Sequence, residues 1–117
     1  MEKKIYDLED RTLSFAISIR NFCKKLSKSI SNTEYVKQLV RSSGSIGANY
    51  IEANEALGKK DFAMRIKISR KEAKESVYWL KLLDTQGLNK VENEREELIV
   101  EATELMKIFS AIMHKTS

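Results

Sequence analysis

The feature that constrains this chain most is an apolar repeat that alternates steps of three and four residues. This spacing puts apolar side chains on one face of an α-helix, and the sequence has no proline to interrupt a helix from within. In the first segment, the repeat runs through Leu8, Thr12, Phe15, Ile19, Phe22, Leu26 and Ile30. In the second segment, it runs through Val36, Leu39, Ser43, Ile46, Tyr50, Ala53 and Leu57. The pattern returns from Phe62 to Leu83 and from Leu98 to Ile112.

Breaks in this repeat divide the chain into four helices. Ser31 and Asn32, Gly58 and Gly87 are residue types that cap or end helices. We therefore predict helices over residues 7–30, 33–57, 61–86 and 92–115. Long helices with short connections favour antiparallel neighbours, and 117 residues suit one domain. The prediction is an all-α chain, a single domain over residues 1–117 folded as an antiparallel up-down-up-down four-helix bundle.

The predicted second helix contains a run of small residues, RSSGSIGANYIEANEA, from Arg41 to Ala56. A glycine inside a helix costs roughly 1 kcal/mol relative to alanine. The spacing of Gly44 and Gly47 excludes a phosphate-binding loop of the G-x-x-x-x-G-K-[ST] type, and the apolar repeat continues on both sides. We predict instead a central, tightly packed helix. Its polar residues favour a structural network that fixes the helix register, with an ordinary solvated surface as the alternative. The predicted network contains Arg41, Asn49 and Glu52.

A second row of apolar residues follows the third and fourth helices. Ile99 and Met113 belong to this row on the fourth helix. Such a row either widens the core of the bundle or, where it stays exposed, forms an interface between subunits. The residues predicted for an oligomer interface are Met64, Ile68, Trp79, Leu82 and Met106.

The net charge of +4 is unevenly distributed along the chain. Residues 59–86 carry eight basic and four acidic residues, whereas residues 92–117 carry three basic and six acidic ones. Lysines spaced by one or two helical turns can follow a phosphate backbone, and an interleaved tyrosine can stack on a base. The alternative is a solvated helix face. The residues predicted to bind nucleic acid on the third helix are Lys67, Arg70, Lys71, Lys74 and Tyr78.

Residues that carry catalytic or metal chemistry are scarce. The sequence has one histidine, His114, near its end, and one cysteine, Cys23, so no catalytic triad and no Glu-x-x-His di-iron pattern can be built. We expect no enzymatic activity, no metal and no cofactor. A single cysteine excludes an intrachain disulfide and is typical of the cytoplasm. No apolar run of membrane-spanning length or signal peptide is recognisable, so a cytoplasmic protein without a membrane role is expected.

Residues 40–83 resemble the central block of the small bacterial proteins known as 23S rRNA intervening-sequence proteins. The positions that carry the resemblance are Arg41, Ser45-Ile46, Asn49, Ile51-Glu52, Asp61-Phe62 and the segment from Trp79 to Leu83. The resemblance implies a four-helix bundle that assembles as a ring-like homopentamer. It also implies a link to nucleic acid, because a related accessory protein of diversity-generating retroelements binds it.

Two functions from different classes follow. The first is a non-enzymatic oligomeric protein that binds nucleic acid, RNA rather than DNA, through the basic face of the third helix. The alternative is a structural or adaptor ring that binds a protein partner and has no nucleic-acid role.

Overall fold

Four α-helices make up the part of the chain that the structure, a computed structural model, describes, which is residues 7–116. The helices are α1 (Leu8–Cys23), α2 (Ile30–Asn54), α3 (Lys59–Leu82) and α4 (Asn89–Thr116). No strand occurs within residues 7–116. The predicted all-α class is confirmed, while the two ends of the predicted domain, residues 1–6 and Ser117, lie outside the described residues.

The helices pack in a closed square in chain order. The α2–α3 and α3–α4 contacts are the most extensive, and α1 completes the square by packing against α2 and, less extensively, α4. Within residues 7–116, neither diagonal pair of helices comes into close backbone contact. Because each helix neighbours its successor through a short connection, the arrangement is the predicted up-down-up-down bundle.

The apolar repeat forms the core. Each fully buried leucine, isoleucine or phenylalanine stabilises the fold by roughly 1.5–3 kcal/mol relative to the same side chain left exposed. The large apolar side chains with no exposed surface are Ile19, Phe22, Leu39, Ile46, Ile66, Leu80, Leu105 and Phe109. Every helix contributes at least one of them, so no helix can be removed without opening the core.

Two predicted core positions are wrong because the helices end earlier than the repeat suggested. Helix α1 ends at Cys23 rather than at residue 30, and Ile30 is 91% exposed at the start of α2. The Ser29 side chain caps α2 by accepting a hydrogen bond from the Asn32 amide, which fixes the start of that helix. Leu57 lies in the α2–α3 connection, beyond the end of α2, and is fully exposed.

The side chain of Asn32 joins two connections at one end of the bundle. It is 1% exposed. Its amide donates to the carbonyls of Ser27 at 3.1 Å and Asp84 at 2.9 Å, and its carbonyl accepts from the Asp84 amide at 2.9 Å. These bonds hold the chain extended after α3, which therefore ends at Leu82 rather than at residue 86. The connection then turns through Gln86 and Gly87, both of which have positive φ.

A charged cluster closes the same end of the bundle. Arg95 of α4 donates to the carbonyl of Leu83 at the end of α3 and pairs with Glu92 at 2.9 Å. A cation there offsets the negative end of the helix dipole. The hydroxyl of Thr85 donates a hydrogen bond to Glu92, and this bond, followed by the one from Arg95, lowers the pKa of the Glu92 carboxyl below its ordinary value.

Gly47 lies where α1 packs tightly against α2. A Cβ atom at this position would lie 2.7 Å from Thr12 Oγ1 and 3.2 Å from Thr12 Cβ. Thr12 is buried, and its hydroxyl already donates to the carbonyls of Leu8 and Glu9, so it cannot move aside easily. A Cβ at Gly44 would meet nothing within 4 Å.

We predict that Gly47→Ala destabilises the protein by about 1–2 kcal/mol, although alanine is the better helix former, because overpacking against Thr12 outweighs propensity. Gly47→Leu should prevent folding. The matched control, Gly44→Ala, should retain or raise stability. Urea unfolding followed by circular dichroism measures all three. Equal stability of the Gly47→Ala and Gly44→Ala variants would contradict the close contact.

We also predict that Asn32→Asp lowers the free energy of unfolding by about 2–3 kcal/mol, because a buried carboxylate replaces the amide donor that serves the carbonyls of Ser27 and Asp84. Asn93→Asp, on the exposed face of α4, is the control and should change little. Thermal unfolding of both variants at neutral pH is the measurement. An Asn32→Asp variant as stable as the control would show that the Asn32 bonds do not hold the connections together.

Candidate nucleic-acid interface

The predicted basic residues share one side of α3. Lys67, Lys71 and Lys74 are exposed, and Arg70 beside them is half-buried. Tyr78 follows one turn later with 58% of its surface exposed, and its ring is nearly perpendicular to that of Trp79, with 5.2 Å between centroids. At a rise of about 1.5 Å per residue, the stretch from Lys67 to Tyr78 covers roughly 16 Å of surface. Exposed Lys60 and Lys81 extend it at both ends. These seven residues form the basic face of α3.

No carboxylate neutralises the basic face from within the described chain. Among residues 7–116, no ion pair involves Lys67, Arg70, Lys71 or Lys74. The carboxylates nearest to them in sequence, Glu72 and Glu75, turn instead toward α2, where Arg41 Nη2 lies 3.3 Å from an oxygen of each. The basic face therefore keeps its positive charge and is available to an anion.

A row of small polar residues holds α3 against α2 behind this face. Ser69 donates to the carbonyl of Ile46 at 2.8 Å, and the hydroxyls of Ser42 and Ser76 are 2.9 Å apart. All three serines are buried. Because short side chains let the two backbones approach closely, this seam fixes the rotation of α3 and with it the direction in which the lysines point.

The predicted polar network does not form as one unit. Arg41 joins Glu72 and Glu75 across the seam, whereas Asn49 accepts a hydrogen bond from Arg65 at 3.1 Å. The Glu52 side chain is exposed, and no side-chain hydrogen bond within residues 7–116 involves it, so it does not join Arg41 and Asn49 in that part of the chain. Asn49 and Glu52 are three residues apart on α2, but Asn49 contacts Arg65 of α3 whereas Glu52 faces solvent. Sequence reasoning missed these partners on α3, because a carboxylate and an arginine in a charged helix are usually solvated.

Buried Glu72 is the most unusual ionisable group in the seam. The residue is 5% exposed, and its Oε1 has no hydrogen bond, although Arg41 Nη2 approaches it at 3.3 Å. The contact is thus an ion pair without hydrogen-bond geometry. A buried charge is tolerated only when a partner compensates it, which makes Arg41 a structural residue despite its exposed position.

The predicted oligomer interface divides into exposed and covered residues. Met64 is 48% exposed and Leu82 37% exposed, while Ile68, Trp79 and Met106 are partly buried. Trp79 and Met106 pack against the core, and the Trp79 ring also lies 6.3 Å from the ring of Tyr35. About 27 Å of helix separates Met64 from Leu82, with the lysines of the basic face between them. The exposed members of the row therefore do not form one apolar patch.

Reactive and metal-binding groups are sparse in the described chain. Burial raises the pKa of the Cys23 thiol to about 11, so it stays protonated at neutral pH and is a weak nucleophile. In the same helix, hydrogen bonds to Glu101 raise the pKa of the Arg11 guanidinium above its ordinary value. Within residues 7–116, no group of three or more metal-binding side chains comes together. No helix in that range is both long enough and apolar enough to cross a membrane.

Comparison with known proteins identifies the family. The family described as 23S rRNA-intervening sequence protein matches residues 6–111. The chain belongs to this family. A solved structure of a protein of unknown function from the S23 ribosomal protein family of Bacteroides thetaiotaomicron is similar over 92% of this chain and 98% of that one, with 33% identity and a TM-score of 0.78. Comparison with curated proteins finds no match. The predicted family and bundle fold are confirmed.

The seam between α2 and α3 generates a prediction about Arg41. Arg41→Ala should destabilise this family member by about 1–2 kcal/mol, because it leaves the Glu72 carboxylate buried without a partner. The loss is no larger because solvent screens the half-exposed Arg41 side chain. In a double-mutant cycle with Glu72→Gln, the coupling should be about 1 kcal/mol. The same cycle with the less buried Glu75→Gln should give a smaller coupling. Equal couplings, or none, would show that the Glu72 pair contributes nothing to the seam.

Proposed function

We propose that this chain is a non-enzymatic, oligomeric protein that binds nucleic acid through the basic face of α3. One observation carries the proposal: the basic face is exposed and unpaired, while the two glutamates of the same helix, Glu72 and Glu75, are drawn to Arg41 on the other side. Unpaired lysines and arginines on such a surface can neutralise the phosphates of a nucleic acid and release the counterions bound to it.

Each group of the basic face has a distinct role in this proposal. Lys67, Lys71 and Lys74 contact successive phosphates, and Arg70 adds a planar donor that can bridge two phosphate oxygens. Tyr78 is 58% exposed, and a base can stack on its ring. Lysine contacts of this kind are independent of sequence, so the binding is expected to be weakly sequence-selective. The family description names 23S rRNA, which favours RNA over DNA.

The proposal predicts RNA binding that depends steeply on salt. Fluorescence anisotropy with a labelled single-stranded RNA should show weaker binding as salt rises, with a logarithmic slope of about −0.7 for each phosphate contacted. The triple variant Lys67→Glu, Lys71→Glu, Lys74→Glu should abolish binding at moderate salt. The charge-matched control reverses three exposed lysines elsewhere, Lys28, Lys90 and Lys107, and should keep most of the affinity.

Two outcomes would overturn the proposal. The first is an absence of RNA binding by the unmodified protein at low salt. The second is an equal loss of affinity in the triple variant and in its control, since that result reports net charge rather than a face. The stacking role of Tyr78 is separated by comparing Tyr78→Ala, which should lose affinity by about 1–3 kcal/mol, with Tyr78→Phe, which should retain it.

The structural or adaptor function remains the alternative in this proposal. It depends on the second apolar rows, and the exposed residues of these rows, Met64 and Leu82, lie at opposite ends of α3. This separation supports the adaptor function less well than the continuous basic face supports nucleic-acid binding.

A further inference from the structure

A pocket lies between the first turns of α3 and the last turn of α4. Its volume is about 350 Å³. Met113 packs against the core, whereas Met64 leaves 48% of its surface exposed, so solvent reaches the apolar wall of the pocket. The lining residues are Lys60, Ala63, Met64 and Lys67 of α3 together with Met113 and Thr116 of α4.

Two methionines make the apolar wall suited to an aromatic ring. A methionine side chain is unbranched and polarisable, so it adapts to the shape of a ligand, and its sulfur makes favourable contacts with aromatic rings. The hydroxyl of Thr116 donates a hydrogen bond to the carbonyl of Met113 at 3.1 Å. Its lone pairs can still accept a hydrogen bond from an amino group on the ring. The pocket therefore fits a flat heteroaromatic ring better than a saturated chain.

Two lysines flank this apolar wall. Lys60 lies four residues before Met64 and Lys67 three residues after it, which are the spacings at which side chains share a helix face. Both lysines are exposed, and within residues 7–116 neither is in an ion pair. No described carboxylate lines the pocket. The arrangement fits a ring with an anionic group on each side.

A base within a nucleic-acid strand has this chemistry, because a phosphate precedes and another follows each internal nucleotide. An aliphatic anion such as a fatty acid carries one charge at one end, so it would leave either Lys60 or Lys67 without a partner. Charge complementarity therefore selects a nucleotide of a strand as the occupant.

The pocket is continuous with the basic face of α3, to which Lys60 and Lys67 belong. Residues 64 and 78 are about four helical turns apart, so Met64 and Tyr78 lie on the same side of α3, roughly 21 Å apart along its axis. Lys71 and Lys74 lie between them. A strand whose phosphates follow the lysines thus meets a group that can hold a base at each end of the row, the pocket at one end and Tyr78 at the other.

We propose that the pocket between Met64 and Met113 binds one nucleobase of an unpaired RNA strand, while Lys60 and Lys67 hold the phosphates on either side of that base. This inference rests on the proposed function and names its substrate class. Bases in a duplex are paired and stacked, so none can enter the pocket without leaving the helix. The lysines alone would serve any phosphate backbone, and the pocket adds a preference for single strands and loops.

Methionine methyl signals in NMR report on an aromatic ring in the pocket. In protein labelled with ¹³C at the methionine methyl groups, a short oligoadenylate should move the Met64 and Met113 signals upfield, because the ring current of a base shields a methyl group over its face. The signal of Met106, which does not line the pocket, should move less. Ribose 5-phosphate, which has no base, and octanoate, an aliphatic anion, are the controls and should cause no such shift. Met64→Leu and Met113→Leu assign the two signals.

Fluorescence anisotropy tests the preference for an unpaired strand. Met64→Ala should weaken binding of the labelled oligoadenylate about fivefold or more, the loss expected when one base contact is removed. Binding of a duplex of the same length should not change, since its bases do not reach the pocket. The control is Leu88→Ala, which truncates an exposed leucine of the α3–α4 connection and should change neither affinity. Circular dichroism should show the same helix content in both variants, because both side chains are largely exposed.

The outcomes separate this pocket from the proposed function. RNA binding without an upfield shift of the Met64 and Met113 signals would overturn the pocket and leave the basic face in place. Equal weakening of single-strand and duplex binding by Met64→Ala, or no weakening of either, would also overturn it. A response to octanoate as large as the response to RNA would assign the pocket to an aliphatic anion. A protein that binds neither form of RNA at low salt would overturn the proposed function itself.

Discussion

The close contact between α2 and α3 is the constraint on which the rest of the structure depends. Serine hydroxyls at Ser42, Ser69 and Ser76 are satisfied within the seam, so the two helices approach without leaving buried polar groups unpaired. Longer side chains at these positions would push the helices apart and turn α3 about its axis. The direction of every side chain on the outer side of α3 is therefore set by residues that never reach the surface.

The same seam separates the charges of α3. Lysines and glutamates alternate over residues 71–75, and on a free helix Lys71 and Glu75, four residues apart, would partly neutralise each other. In the bundle, Glu72 is buried and Glu75 is half-covered, and both face Arg41. What remains outside is almost purely basic. The electrostatic character of the surface is thus a product of packing, since the net charge of the whole chain is only +4.

The apolar repeat was sufficient to predict the helices, their order and most of the core, because burial depends on position along a helix and little else. It failed at Ile30 and Leu57, where the repeat continues past the residue at which the helix ends. Helix ends depend on local hydrogen bonds, such as the Ser29 cap, that the repeat does not encode. The partners of Arg41 and Asn32 were also missed, since each lies on a segment distant in sequence and is chosen by the three-dimensional packing.

The two central glycines show why a small-residue run is ambiguous in sequence. Gly44 and Gly47 are three residues apart and equally unfavourable in a helix. One faces Thr12 of α1 at a distance that excludes a methyl group, whereas the other faces open surface. Between them, Ile46 fills the core and also accepts a hydrogen bond from Ser69 of α3. Helix α2 is thus approached by α1 and by α3 on separate sides. The remaining small residues of the run, Gly44 and Ala48, lie on the exposed side of α2, where neither α1 nor α3 requires them to be small.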